Sequence, residues 1–102
     1  MGFRDDRRAM LEAIRKGDYA HELRGVPGRN HLQIGTVDIE FVVGLIQATR
    51  GHQATSAVHH QRPEVTLWIM KPLHQGQQWY VKCYLHGAIL WFISIHPREV
   101  RP

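Results

Sequence analysis

A single cysteine, Cys83, among 102 residues excludes a disulfide within the chain and suits a reducing compartment such as the cytoplasm. Its neighbours Val81 and Leu85 mark it as a small apolar packing residue rather than a nucleophile. Long apolar runs are also missing. The longest, Ala88 to Ile95, is far too short to span a bilayer. The basic start Met1-Gly-Phe-Arg-Asp-Asp-Arg-Arg is not followed by the apolar stretch of a signal peptide. Neither secretion nor membrane insertion is therefore expected. Acidic residues are the minority, 9 against 13 lysines and arginines, which leaves a formal charge of +4. That balance favours an acidic partner, either nucleic acid or an acidic protein segment.

Catalytic signatures are equally sparse. No serine stands in a G-x-S-x-G frame, and the glycines form neither a phosphate loop nor a dinucleotide fingerprint. No H-E-x-x-H motif or cysteine ligand set is present, and His59 and His60, being adjacent, cannot both enter one small metal site. Paired carboxylates are missing from the strand segments, against glycosidase or two-metal chemistry. No metal or cofactor is expected.

What is present fits one domain over residues 1–102, with 43% hydrophobic and 22% charged residues. Asp5 to Lys16 reads as an amphipathic helix burying Met10, Leu11 and Ile14, and Gly17 stops it. Arg4, Arg7, Arg8 and Arg15 decorate its other sides. An irregular stretch follows, punctuated by Gly25, Pro27 and Gly28, where Arg24 and Arg29 are within reach of a phosphate. A second helix is expected from Val37 to Arg50. Thr36 is its cap, Asp38 and Glu40 lie in its first turn, and Gly51 follows its end. Its buried stripe is Phe41, Val42, Leu45 and Ile46. His52 to Pro63 reads as a polar loop. Strands follow at Glu64 to Lys71, Gln77 to His86 and Ala88 to His96, with turns at Pro72 to Gly76 and at His86-Gly87. The expected class is α+β: two or three N-terminal helices packed on one face of a C-terminal antiparallel sheet of three or more strands.

Side chains alternate along a strand, so each run divides into two faces. Val65, Leu67 and Ile69, then Trp79, Val81, Cys83 and Leu85, then Ile89, Trp91, Ile93 and Ile95 suit the helix stripe. The opposite face then carries Trp68, Tyr80, Lys82, Tyr84, His86, Phe92, Ser94 and His96. A lysine in the middle of the central strand is hard to bury without a partner. Aromatic rings interleaved with cations suit stacked bases and phosphates.

Eight histidines are a high count for this length, and histidine passes protons at neutral pH. With tyrosine and lysine they form an acid–base set that needs no metal. Such a set can cleave RNA: one group withdraws the 2′-OH proton, a cation stabilises the phosphorane, and an acid protonates the leaving 5′-oxygen.

Val42-Val43-Gly44-Leu45-Ile46, the loop before the sheet, Trp79-Tyr80-Val81-Lys82 and Ile93-Ser94-Ile95-His96-Pro97 together resemble the MqsR family. This family belongs to the RelE-like toxins of bacterial type II toxin–antitoxin systems. The resemblance spans roughly Asn30 to Pro97 and implies a RelE-like fold. It also implies metal-independent cleavage of mRNA (an mRNA interferase, hence a hydrolase) and neutralisation by a cognate antitoxin protein. It places the family's tyrosine and lysine on Tyr80 and Lys82. Where the family's loop offers a lysine, this chain has His52, His59 and His60; where its last strand ends in lysines, this chain has Ser94, His96 and Arg98. On that reading Lys82 and Arg98 stabilise the phosphate. His59, His60 or His96 serves as base or acid, and Tyr80 and Tyr84 position the base or share the proton work. His52, Ser94 and Trp68 complete the RNA contacts. Two other readings use the same face: a non-catalytic RNA-binding module, and a protein-interaction domain covered by a partner or a second copy of the chain.

Overall fold

The structure, a computed structural model, describes residues 2–22 and 28–98; Arg24, Gly25 and Pro27 of the expected turn lie outside the described residues. Helix α1 spans Phe3–Arg15 and buries Met10, Ala13 and Ile14, the three- and four-residue spacing of one helical face. Asp5 and Asp6 in its first turn complement the helix dipole. Gly17, at φ +78°, ends it: the Asp18 N–H donates to Ala13 O at 2.8 Å, a left-handed closure that glycine adopts without a Cβ clash.

Helix α2 spans Ile39–Ala48. Its cap is Asp38 rather than Thr36, the Asp38 carboxylate accepting from the Phe41 N–H at 2.8 Å. Thr36 is taken up by the preceding turn, where its N–H donates to His31 O at 2.9 Å. At the far end Thr49 Oγ1 donates to Leu45 O at 2.8 Å, and the Arg7 guanidinium donates to Thr49 O at 2.6 Å. Arg7 thus satisfies a carbonyl left over by α2 and ties the two helices together.

The sheet corrects the expected architecture. It has six strands, β1 (Tyr19–His21), β2 (Ala54–Val58), β3 (Thr66–Met70), β4 (Leu73–His74), β5 (Gln77–His86) and β6 (Ile89–Pro97). Their order is β1-β6-β5-β3-β2, with β4 also paired to β5. The sheet is mixed, not antiparallel: β1 runs parallel to β6. It is also not confined to the C-terminal half, because β1 precedes α2 and an isolated parallel bridge joins Asn30 to Ile95. Two causes hid these strands. Three-residue β1 is too short to show a period, and it forms by using the free edge of β6. β2 is an edge strand whose side chains are almost all exposed, so its sequence reads as a polar loop.

Both hairpin turns between the later strands are two residues long. Gln75-Gly76 has φ of +53° and +77°, and Gly87-Ala88 has φ of +62° at each residue, the paired positive values that match strand twist. The second turn therefore lies one residue later than His86-Gly87.

Both helices pack on one side of the sheet. Met10, Ile14, Val42, Leu45 and Ile46 meet Trp68, Met70, Trp79, Val81, Cys83, Leu90, Phe92 and Ile95 there. Burial pushes the Cys83 thiol up to about 12, which suits packing rather than nucleophilic attack. Strand β5 turns to the helices the residues expected. β3 does not: Trp68 and Met70 face the helices, while Val65 and Leu67 join a second cluster on the other side. Helix α1 decides this, because Phe3 packs edge-on against Trp68 at 5.1 Å and Asp6 accepts from Trp68 Nε1 at 2.7 Å. β6 is reversed over its first half, where Leu90 and Phe92 are buried under the helices. Opposite β5, Lys82 pairs with Ser94 but Cys83 pairs with Phe92. Ile93 is the extra residue of a β-bulge, and the bulge shifts parity by one.

Candidate functional site

The side of the sheet away from the helices is ordered in cross-strand rows. One row runs Thr55, Ile69, Lys82, Ser94. Beside it Tyr80 stands opposite His96. On the other side the row is Ala57, Leu67, Tyr84, Trp91, Ala20. Directly opposed side chains on one face are the nearest neighbours a sheet offers.

The first two rows bring together Tyr80, Lys82, Ser94 and His96. Tyr80 stacks on His96 with ring centroids 5.0 Å apart and planes at 16°. The His96 Nδ1 lies 2.8 Å from Pro97 O. A carbonyl oxygen only accepts, so Nδ1 donates, and in the neutral ring the lone pair is on Nε2. Nε2 has no hydrogen-bond partner among the described residues. Lys82 is half-buried, and among the described residues no carboxylate pairs with it. Arg98 closes the same end: its guanidinium donates to Gln78 Oε1 at 2.7 Å and its N–H to Gln78 O at 2.8 Å. Gln78, two residues before Tyr80 on the same face of β5, holds Arg98 against the strand and was not singled out in the sequence.

Tyr84 lies on this face but is only 2% exposed. Its hydroxyl donates to Glu22 Oε2. Burial, with the Glu22 carboxylate as the second cause, pushes the phenol up to about 12 against an ordinary 10.0. The same Glu22 oxygen receives His59 Nε2 at 3.2 Å. His59 is 1% exposed, and its Nδ1 accepts from the N–H groups of Gln61 and Arg62 at 3.1 and 3.2 Å. Both ring nitrogens are thus used in holding the turn after β2 onto Glu22 and Tyr84. This arrangement organises a loop and leaves no nitrogen for proton transfer.

A raised phenol pKa means that the folded state favours neutral Tyr84. Its contribution to stability is whole below pH 10 and lost as pH rises through about 12. By absorbance at 295 nm Tyr84 is expected to ionise above the ordinary phenol value of 10.0, near 12. The urea midpoint should fall over that same pH interval. Ionisation of Tyr84 at its ordinary value of 10.0 would contradict the Glu22 contact.

The remaining sequence candidates are dispersed. Trp68 is buried under α1 on the opposite side of the sheet, which removes it from any contact on this face; the same holds for Phe92. His52 and His60 are exposed and flank β2, two strands or about 10 Å from β5. Pairing of Ala54 with Met70 and Met70 with Val81 puts His52 at the Tyr80 end of the sheet and His60 at the other end. Among the described residues no three His, Cys, Asp or Glu side chains converge as metal ligands, and no helix is long and apolar enough to cross a membrane.

The fold and this face define a mixed sheet shielded by two helices on one side and presenting a small basic and aromatic cluster on the other. In comparisons with known proteins, no family model and no curated sequence matches this chain.

Proposed function

We propose that the chain is a metal-independent endoribonuclease acting through Tyr80, Lys82, His96 and Arg98. The observation that carries this reading is a half-buried lysine without an ion partner among the described residues, one row from a histidine whose Nδ1 is anchored on a backbone carbonyl. His96 Nε2 takes the proton of the ribose 2′-OH, and the oxygen attacks the adjacent phosphorus. Lys82 meets the negative charge that grows on the phosphorane, and Arg98 holds a flanking phosphate. The P–O5′ bond breaks, the 5′-oxygen gains a proton from Tyr80 or water, and the products are a 2′,3′-cyclic phosphate and a 5′-hydroxyl. Tyr80 also fixes the imidazole by its stack.

Incubation of RNA with the protein in chelator is expected to give fragments with those ends. RNA that is bound in a steeply salt-dependent way but left intact would replace the reading with a non-catalytic RNA-binding module. RNA that is neither bound nor cut would assign the face to a protein partner. The likeness to MqsR-type toxins extends the proposal to a cytoplasmic mRNA interferase neutralised by an antitoxin protein. On that extension, expression in bacteria should arrest growth, and harmless expression of folded protein would sink it.

A further inference from the structure

We infer that Trp91 is a stacking platform for a nucleobase next to the scissile phosphate, an inference that rests on the nuclease reading of this face. Simple alternation assigns Trp91 to the helix side. The bulge at Ile93 reverses that, pairing Trp91 with Tyr84 and Ala20 on the open face. Its ring lies nearly parallel to Tyr84, with planes at 12° and centroids 6.4 Å apart. Tyr84 is itself fixed by Glu22, so the indole rests on a rigid support. On its other side the row continues with alanine, and among the described residues no second aromatic side chain packs on it.

Trp91 is only partly buried, whereas the other tryptophans, Trp68 and Trp79, are each 8% exposed in the helix-side core. Trp91 packs against the second cluster of Val65, Leu67, Tyr84 and Ile93 yet stays partly exposed, and an indole anchored in this way with surface left to solvent suits covering a flat apolar ligand. The row of Trp91 and Tyr84 is two residues from the row of Lys82 and Ser94. That is about 7 Å along the strand, the reach of one extended nucleotide step. With the scissile phosphate at Lys82, the neighbouring base falls over Trp91. Stacking reads every base by its flat face, so this subsite gives affinity and strand placement with little sequence choice.

The test uses a short single-stranded oligoribonucleotide and its 2′-O-methyl form, which lacks the attacking hydroxyl. In the wild type the 2′-O-methyl strand is expected to quench tryptophan fluorescence, and the quench should vanish in Trp91→Phe, where only the two buried indoles remain. Trp91→Leu keeps an apolar contact with Tyr84 but no aromatic face. It is expected to raise KM for the cleavable strand roughly tenfold or more with kcat little changed, and Trp91→Phe should recover most of that loss. Normal cleavage by Trp91→Leu at wild-type KM, with no quench in the wild type, would overturn the stacking site and leave the nuclease reading standing. A wild-type protein that neither binds nor cuts either strand would overturn both. Thermal melts of each variant separate a binding loss from unfolding.

Discussion

Lys82→Ala is expected to cut the rate of RNA cleavage by about a hundredfold or more while the protein stays folded. A cation aimed at charge that develops only in the transition state supplies ~2.7–4 kcal/mol of barrier lowering. Since Lys82 has no carboxylate partner among the described residues, its removal strands no buried counter-charge, which is the usual reason such substitutions unfold proteins. The loss should fall on kcat rather than KM, because Arg98 and Trp91 still hold the substrate. His96→Ala is expected to lose at least as much, as removal of a general base commonly costs ~10²–10⁴. The double variant should lose less than the product of the two, since both groups serve one phosphorane. Single-turnover cleavage of a labelled oligonucleotide, with melting curves on each variant, decides this. Wild-type rates from folded Lys82→Ala would remove the lysine from the mechanism.

How far these features can be read in the sequence depends on the length and one-sidedness of each segment. Helix α2 carries a contiguous apolar stripe and flanking polar residues, so its existence and buried side are plain from spacing alone. The parity of β5 is also legible, because Tyr80 and Lys82 alternate with Trp79, Val81 and Cys83 and only one set can go beneath the helices. β3 offers no such contrast. Val65, Leu67 and Ile69 are as apolar as Trp68 and Met70, and the choice is made by Phe3 and Asp6, more than sixty residues away. β6 is worse, because the bulge at Ile93 puts both Phe92 and Ile95 under the helices, and no local pattern marks an inserted residue. Ser94 and His96 are placed correctly by alternation because they follow the bulge, while Trp91, which precedes it, is not. The buried role of His59 was also illegible. Its partners Glu22 and Tyr84 come from opposite ends of the chain, and its adjacency to His60 suggests nothing about which of the two turns inward.

The packing of β3 has the largest consequence for stability, and Trp68→Ala is expected to expose it. This substitution removes an indole that is 8% exposed, its edge-on contact with Phe3 and its hydrogen bond to Asp6. Tryptophan-to-alanine changes in cores cost ~3–5 kcal/mol, a large part of the ~5–15 kcal/mol that holds a small domain together. At roughly 4–8 °C per kcal/mol for a domain near this size, the melting temperature should drop by well over ~10 °C. Trp68→Phe retains ring packing against Phe3 and loses chiefly the Asp6 bond, for which ~1.5–3 kcal/mol is the usual cost when the acceptor is charged. Asp6 is half-buried at the surface of α1 and regains water, so the lower end of that interval applies. Below its melting temperature Trp68→Ala should bind RNA as the wild type does, because the ring never reaches the open face. A melting temperature within a few degrees of wild type, together with weakened RNA binding, would mean that β3 presents Trp68 to the ligand. The assignment of faces on which Lys82, His96 and Trp91 all depend would then be reversed for that strand.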